Sequence, residues 1–303
     1  MNVWDNNHTL SEYYVCDAPI IQICPSDVQS NLYIFSSDGY VHHVDGYDFK
    51  LISSTKISEH KLVCVEEVLI RKARGFMTSD TEGNLFIFDS TFEASKKLDK
   101  HERATTSIQC IGRNRVIISR PVSEKEVRFE VISPYSGNQV SMLDVSGITK
   151  IRDMDCPNER FGKNEGWIIA ASSKSIATIN FKMSKLELVR LIHFRPGFYI
   201  DEIACDIVEQ KVVGKNVPED TSIIEDKCST ISWEFGVKTF TEFNNLYIKG
   251  KFGKINKHID LGEEEIISKN LHFPEGRICC GTNDGRLIVV DFRRNSIRFI
   301  FDA

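Results

Sequence analysis

Short apolar runs that end on a polar residue recur along this chain at nearly even intervals. The six clear copies are SSDGYVHHVD, TEGNLFIFD, EVRFEVIS, SKSIATIN, CSTISWE and DGRLIVVD, which end at Asp45, Asp89, Ser133, Asn180, Glu234 and Asp291. The fragment NVWD, ending at Asp5, is a candidate seventh copy. From Asp5 onward the intervals between end points are 40, 44, 44, 47, 54 and 57 residues. A period of this length indicates that the chain repeats one supersecondary unit.

The pattern inside each copy predicts four short β-strands. We expect strands over 19–24, 32–36, 40–44 and 50–55 in the first copy, over 62–68, 75–78, 85–88 and 95–98 in the second, and over 266–273, 277–281, 287–290 and 297–301 in the last. Most of these runs are apolar on both faces, as in strands that lie between neighbouring sheets, and helical periodicity is missing. The period is typical of β-propeller blades, so we predict an all-β propeller of about seven four-stranded blades.

The stretch between Asn180 and Asp291 can be divided in two ways. In one, residues 203–240 form a blade with the polar insertion GKNVPEDTSIIED, and 244–261 form an extra hairpin. In the other, a blade begins at CSTISWEF, continues through KTFTEF and LYIKGKF, and ends at KINKHIDL. The pattern does not choose between them.

Composition indicates one globular domain over residues 1–303. Hydrophobic residues make up 41% and charged residues 27% of the chain, which is ordinary for a globular protein and excludes a largely disordered one. No apolar run approaches the roughly 18–20 residues that cross a bilayer, and the start MNVWDNNHTL lacks the features of a signal peptide, so we expect a cytoplasmic or nuclear protein. The formal charge of −5 gives no electrostatic reason to expect a polyanion partner.

At NVWD, SSDG, NDG and VVD the chain resembles a divergent WD-repeat β-propeller, over nearly its whole length. That family places a His before each blade, a Ser or Thr on the second strand, an Asp in the next turn and Trp-Asp at the end of the third strand. The resemblance therefore implies a buried structural network at His60, Thr78 and Asp80 in the second unit, where Phe88-Asp89 replaces Trp-Asp, and at His101 and Ser119 in the third.

The resemblance also implies that an N-terminal strand completes the last blade and closes the ring. Residues 9–15 are candidates for that strand, but 297–301 read equally as an outer strand of the last unit. Six clear units then leave an incomplete or composite seventh blade involving the N-terminus. An alternative is an open ring whose incomplete blade accepts a strand from a partner protein, because unpaired strand edges favour β-augmentation.

Two loops are candidates for binding partner proteins. HFRPGFY joins two predicted blades and contains Phe194, Arg195, Phe198 and Tyr199, residue types that dominate binding hot spots. The polar insertion carries Glu219, Asp220, Glu225 and Asp226, which would attract a basic partner. Tucking of Phe194 or Phe198 into the core is the competing interpretation of the first loop.

Basic hairpins suggest an alternative function as a phosphate reader. Arg293 and Arg294 lie in a Phe-Arg-Arg-Asn stretch comparable with the Phe-Arg-Arg-Gly of phosphoinositide-binding propellers, and Lys249, Lys251 and Lys254 recur along a predicted hairpin. These side chains would contact lipid head groups or nucleic acid, or the lysines would only protect an exposed strand edge.

No catalytic, metal-binding or cofactor motif stands out, since GxSxG, HExxH, P-loop and GxGxxG patterns are all missing. We therefore expect no cofactor and a non-enzymatic role. The sequence favours a WD-repeat-like protein-interaction scaffold or adaptor, an intracellular subunit of a multiprotein complex that binds its partners through loops on the propeller faces and through an incomplete blade.

Overall fold

The computed structural model describes β-strands and connecting turns, and no helix, over the following residues: 9–26, 31–70, 73–93, 95–100, 103–112, 115–156, 165–172, 175–182, 185–193, 203–206, 211–214, 230–234, 237–242, 245–249, 255–260, 271–273 and 277–291. The predicted all-β class is therefore confirmed. The chain divides into two compact units, Met1–Lys56 with Lys227–Ala303, and Ile57–Asp226.

The described residues of the first unit form three four-stranded antiparallel sheets. One is formed by β1 (Thr9–Tyr14), β26 (Arg286–Asp291), β25 (Arg277–Gly281) and β24 (Leu271–Phe273), in that order. The other two follow chain order: β2 (Ile20–Pro25), β3 (Leu32–Ser36), β4 (Tyr40–Val44) and β5 (Leu51–Lys56); then β20 (Thr230–Glu234), β21 (Val237–Glu242), β22 (Asn245–Lys249) and β23 (Ile255–Asp260).

The second unit contains three more four-stranded sheets and one two-stranded sheet among its described residues. They are β6 (Leu62–Ile70), β7 (Ala73–Asp80), β8 (Asn84–Asp89) and β9 (Ser95–Lys100); β10 (Ser107–Gly112), β11 (Arg115–Ser123), β12 (Glu126–Ile132) and β13 (Gln139–Ser146); β14 (Ile151–Asp155), β15 (Glu165–Ser172), β16 (Ser175–Lys182) and β17 (Lys185–His193); and the pair β18 (Ile203–Asp206) and β19 (Lys211–Gly214).

The sheets agree with the second division of the 180–291 stretch. Strands β20 to β23 form one sheet, so CSTISWEF begins a unit and KINKHIDL ends it. Residues 203–214 form the separate two-stranded sheet, in which Ile203 pairs with Gly214 and Asp206 with Lys211. Within the described residues, this is the sheet that has fewer than four strands.

An N-terminal strand completes the last sheet. β1 runs antiparallel to β26, with Thr9 opposite Asp291 and Tyr14 opposite Arg286. The predicted alternative, 297–301, lies outside the described residues. Beyond β1, the amides of Val15 and Cys16 donate to the Gly285 carbonyl at 3.1 and 3.2 Å, which extends the contact into the β25–β26 turn.

Each unit has its own apolar core between sheets. In the first unit, Ile20, Ile34 and Leu32 of the β2–β5 sheet pack with Cys279 and Leu287 of the last sheet. In the second unit, β11 contributes to two clusters, since Ile117 lies in one and its neighbours on the strand, Val116 and Ile118, lie in the other. Successive strand residues point to opposite faces, so this sheet is buried on both sides, as its continuous apolar runs predict.

Candidate functional site

The loops predicted to bind partners fall where the structure gives no description. Phe194, Arg195, Phe198 and Tyr199 follow the last residue of β17, His193, and lie outside the described residues. The acidic residues Glu219, Asp220, Glu225 and Asp226 also lie outside them. Both predictions stay predictions.

The basic candidates are only partly placed. Lys249 is the last residue of β22, and its backbone pairs with Ile255 of β23, so the predicted hairpin exists. Lys251 and Lys254, in the connection between these strands, lie outside the described residues, as do Arg293 and Arg294 after β26.

Asp80 is the centre of a buried hydrogen-bond network at the β7–β8 turn. Its carboxylate accepts bonds from the Ser58 hydroxyl at 3.0 Å, from the Glu82 and Asn84 amides at 3.0 Å each, and from Asn84 Nδ2 at 2.8 and 3.1 Å. Asp80 is almost completely buried, and these donors compensate for the loss of water around its charge. The network fixes the turn and ties it to the segment before β6.

The other predicted network residues take different places. The His60 side chain is exposed, and Ser58, two residues earlier, provides the donor to Asp80. Thr78 is buried, but none of the described residues gives its Oγ1 a hydrogen-bond partner. Ser119 is buried and its hydroxyl lies 3.2 Å from Thr106 Oγ1. His101 lies outside the described residues.

Two other sheets build the same turn from fewer residues. Ser36 Oγ donates to Asp38 Oδ1 at 2.5 Å, and Thr282 Oγ1 donates to Asp284 Oδ1 at 2.5 Å. In both, a hydroxyl that ends the second strand or directly follows it bonds to an Asp two residues later. Gly39 and Gly285 complete these turns with φ values of 93° and 85°, a conformation that glycine adopts without strain.

A chain of hydrogen bonds extends from one of these turns to the outermost strand of its sheet. His42 of β4 is 5% exposed; its Nε2 lies 3.0 Å from Ser36 Oγ, and its Nδ1 lies 2.9 Å from Ser54 Oγ on β5. Burial lowers the pKa of His42, against the opposing effect of the Asp38 charge. The sequence does not identify Ser54, because no local pattern shows which β5 residue lies opposite the histidine.

Large exposed apolar side chains concentrate at the outer edges of the sheets. Of the nine among the described residues, six lie on the strand that ends its sheet and two lie in the turn that leads to such a strand; Val122 is the exception. The six are Tyr14, Leu51, Ile52, Val140, Met142 and Val189, and the two are Tyr47 and Tyr135. An isolated exposed apolar residue is normal, but this distribution repeats in both units.

In the second unit, exposed apolar side chains lie on β13 and β17, two outermost strands that contact each other. Met142 and Val140 project from β13 with 54% and 38% exposure, and Val189 of β17 is equally accessible, at 52%. On the neighbouring strands β12 and β13, Arg128 and Asp144 form a bidentate ion pair with distances of 2.6 and 2.8 Å. Exposed apolar side chains near charged groups are typical of protein-binding surfaces. We call these three residues the β13–β17 surface.

Other classes of site find no support in the described part of the chain. Among those residues, no three His, Cys, Asp or Glu side chains are grouped so that they could hold a metal ion. The described residues also include no helix that is long and apolar enough to cross a membrane. A comparison with protein-family models and curated proteins finds no match to this chain.

Proposed function

We propose that this protein is a non-enzymatic interaction scaffold, a WD-repeat-like β-propeller that binds partner proteins of a larger complex. The observation that carries the proposal is the concentration of exposed apolar side chains on the outermost strands, in sheets whose interiors are closely packed. Within each unit, closely packed sheets hold these side chains in place, so that binding costs little conformational entropy.

The order of the strands supports a propeller. Within the described residues, six sheets each have four antiparallel strands that connect mainly to the next strand in sequence, at the spacing of propeller blades. The pairing of β1 with β26 brings the two ends of the chain into one sheet, as the WD-repeat resemblance implies. The two-stranded sheet of β18 and β19 is the candidate incomplete blade.

The outer edges change the expected mode of binding. The sequence pointed to loops on the propeller faces and to an incomplete blade, whereas most of the exposed apolar residues lie on edge strands, whose backbone groups also favour pairing with another chain. We infer that a partner contacts the β13–β17 surface, the apolar part of β5, or both.

Affinity purification of the full chain at low salt, followed by mass spectrometry, tests this function. A scaffold is recovered with at least one companion protein in a fixed stoichiometric ratio. Recovery of the chain as a monomer without any stoichiometric companion would contradict the proposal.

A further inference from the structure

The direction of the hydrogen bonds around His42 follows from the carboxylate at their end. An ionised Asp38 only accepts, so the Ser36 hydroxyl donates to it across 2.5 Å. Ser36 Oγ then accepts from His42 Nε2–H, which leaves Nδ1 of the neutral ring as an acceptor for the Ser54 hydroxyl. The lowered pKa of His42 agrees with a neutral ring.

Ser54 is the solvent-exposed end of this chain of hydrogen bonds. Every residue of β5 is exposed, whereas His42 beneath it is buried. The arrangement therefore places a hydroxyl at the surface, a neutral imidazole that can take its proton, and a Ser36–Asp38 pair that holds the imidazole in one orientation. Activation of a serine nucleophile needs these three parts.

The neighbouring serine lacks this arrangement and provides a matched comparison. Ser53 is also exposed and lies opposite His43 in the β4–β5 register. However, Nε2 of His43 contacts Asn31 Nδ2 at 3.2 Å and Ser26 Oγ at 3.5 Å. The two serines share strand, exposure and chemistry, and differ in the hydrogen bond to imidazole.

We propose that Ser54 is an activated serine that accepts an acyl group from an activated ester or thioester. Ser54 Oγ attacks the acyl carbon while its proton passes to His42 Nδ1. The bond from the acyl carbon to the leaving oxygen or sulfur then breaks, and the leaving group takes the proton from His42. The products are an acylated Ser54 and a free alcohol or thiol, with no change in oxidation state.

The surroundings of Ser54 favour an apolar acyl chain. Leu51 and Ile52, on the same strand, are about half exposed, and nothing in the described structure covers them. Hydrocarbon beside these side chains would be removed from water. The covalent acyl group would enlarge the apolar surface of β5. This effect does not require a partner protein.

Acylation of the purified full chain by 4-nitrophenyl octanoate, followed by intact mass and peptide mapping, tests the proposal. The native protein and Ser53→Ala should each gain one octanoyl group at Ser54. This acylation should be at least tenfold faster than acylation of any site in Ser54→Ala. His42→Gln, which replaces the imidazole by an amide that cannot act as a base, should lose this advantage. Circular dichroism reports whether this variant is folded.

Asp38→Asn gives a second test that does not disturb the core, because Asp38 is exposed. Asp38 is a positioning residue, so loss of its carboxylate should slow acylation of Ser54 severalfold. The slower acylation of other sites should keep the same rate. Equal rates at Ser53 and Ser54, or an unchanged rate at Ser54 in folded His42→Gln or in Asp38→Asn, would overturn the proposal.

Discussion

Ser58 donates a 3.0 Å hydrogen bond to the carboxylate of Asp80, which lies 22 residues further along the chain. Both side chains are buried, and the bond joins the segment before β6 to the turn after β7. The WD-repeat resemblance gave a role in this network to His60, but the hydroxyl that bonds to Asp80 belongs to Ser58, two residues earlier. Because the buried carboxylate is held by neutral donors, loss of the carboxylate would leave several donors without a partner.

Replacement of Asp80 by alanine should lower the free energy of unfolding by about 3 kcal/mol or more, because several buried donors lose their partner at once. Urea denaturation monitored by tryptophan fluorescence measures this change. Asp89→Ala is the control, since Asp89 accepts bonds from Thr91 in an exposed turn, and it should cost less than about 1 kcal/mol. Equal losses in the two variants would show that the Asp80 network is not central to stability.

Gly285→Ala should weaken the joining of β1 to the last sheet. A Cβ at this residue would lie 1.8 Å from the Cys16 carbonyl oxygen, and φ is +85°, so the backbone must move. We expect a loss of several kcal/mol or faster proteolysis near the N-terminus. Gly137→Ala, at φ +76° but with no contact closer than 3.3 Å, controls for the backbone strain alone. A Gly285→Ala protein as resistant to limited proteolysis as Gly137→Ala would contradict this role.

Stability should fall when the pH is lowered below about 6.5. Burial lowers the pKa of His42 and of His43 from the ordinary value of 6.5, so below that pH the unfolded chain binds more protons than the folded one. The contribution of these histidines is fully present above pH 6.5 and is lost as the pH falls toward their folded-state pKa values. Urea denaturation at pH 7.5 and 5.5 measures the difference while carboxylates stay ionised.

A variant with His42→Gln and His43→Gln is the control for this pH dependence. It should lose less stability than the native protein between pH 7.5 and 5.5, although it is less stable at pH 7.5. The same decrease in both proteins would assign the effect to other groups.

The local strands were largely predictable, and the long-range pairings were not. The second and third strands of the first copy, 32–36 and 40–44, coincide with β3 and β4, because short apolar runs and the Asp38-Gly39 turn are local signals. The pairing of β1 with β26 joins residues near the two ends of the sequence, and it was expected only from the WD-repeat resemblance, because no local pattern signals it. The region 180–291 was ambiguous because a long polar insertion hides the spacing.

The candidate site at Ser54 depends on which residues lie opposite each other in paired strands. The sequence alone does not give this register. Ser54 lies opposite His42 because the β4–β5 ladder contains a bulge between His43 and Val44. A slip by one residue would place Ser53 or Thr55 there instead. The exposed outer-strand residues had a readable signal, since the runs LIS, QVSML and LELV carry apolar residues on strands that end their sheets.

The most direct test of the scaffold account is the amount of companion protein that copurifies with surface variants. Met142→Asp combined with Val189→Asp alters the β13–β17 surface, and Leu51→Asp combined with Ile52→Asp alters β5. Val122→Asp is the matched control, because Val122 is 37% exposed and does not lie on an outermost strand. We predict that at least one double variant stays folded and loses most of its companion, while Val122→Asp retains it. Full retention of the companion by both folded double variants would contradict binding through the outer strands.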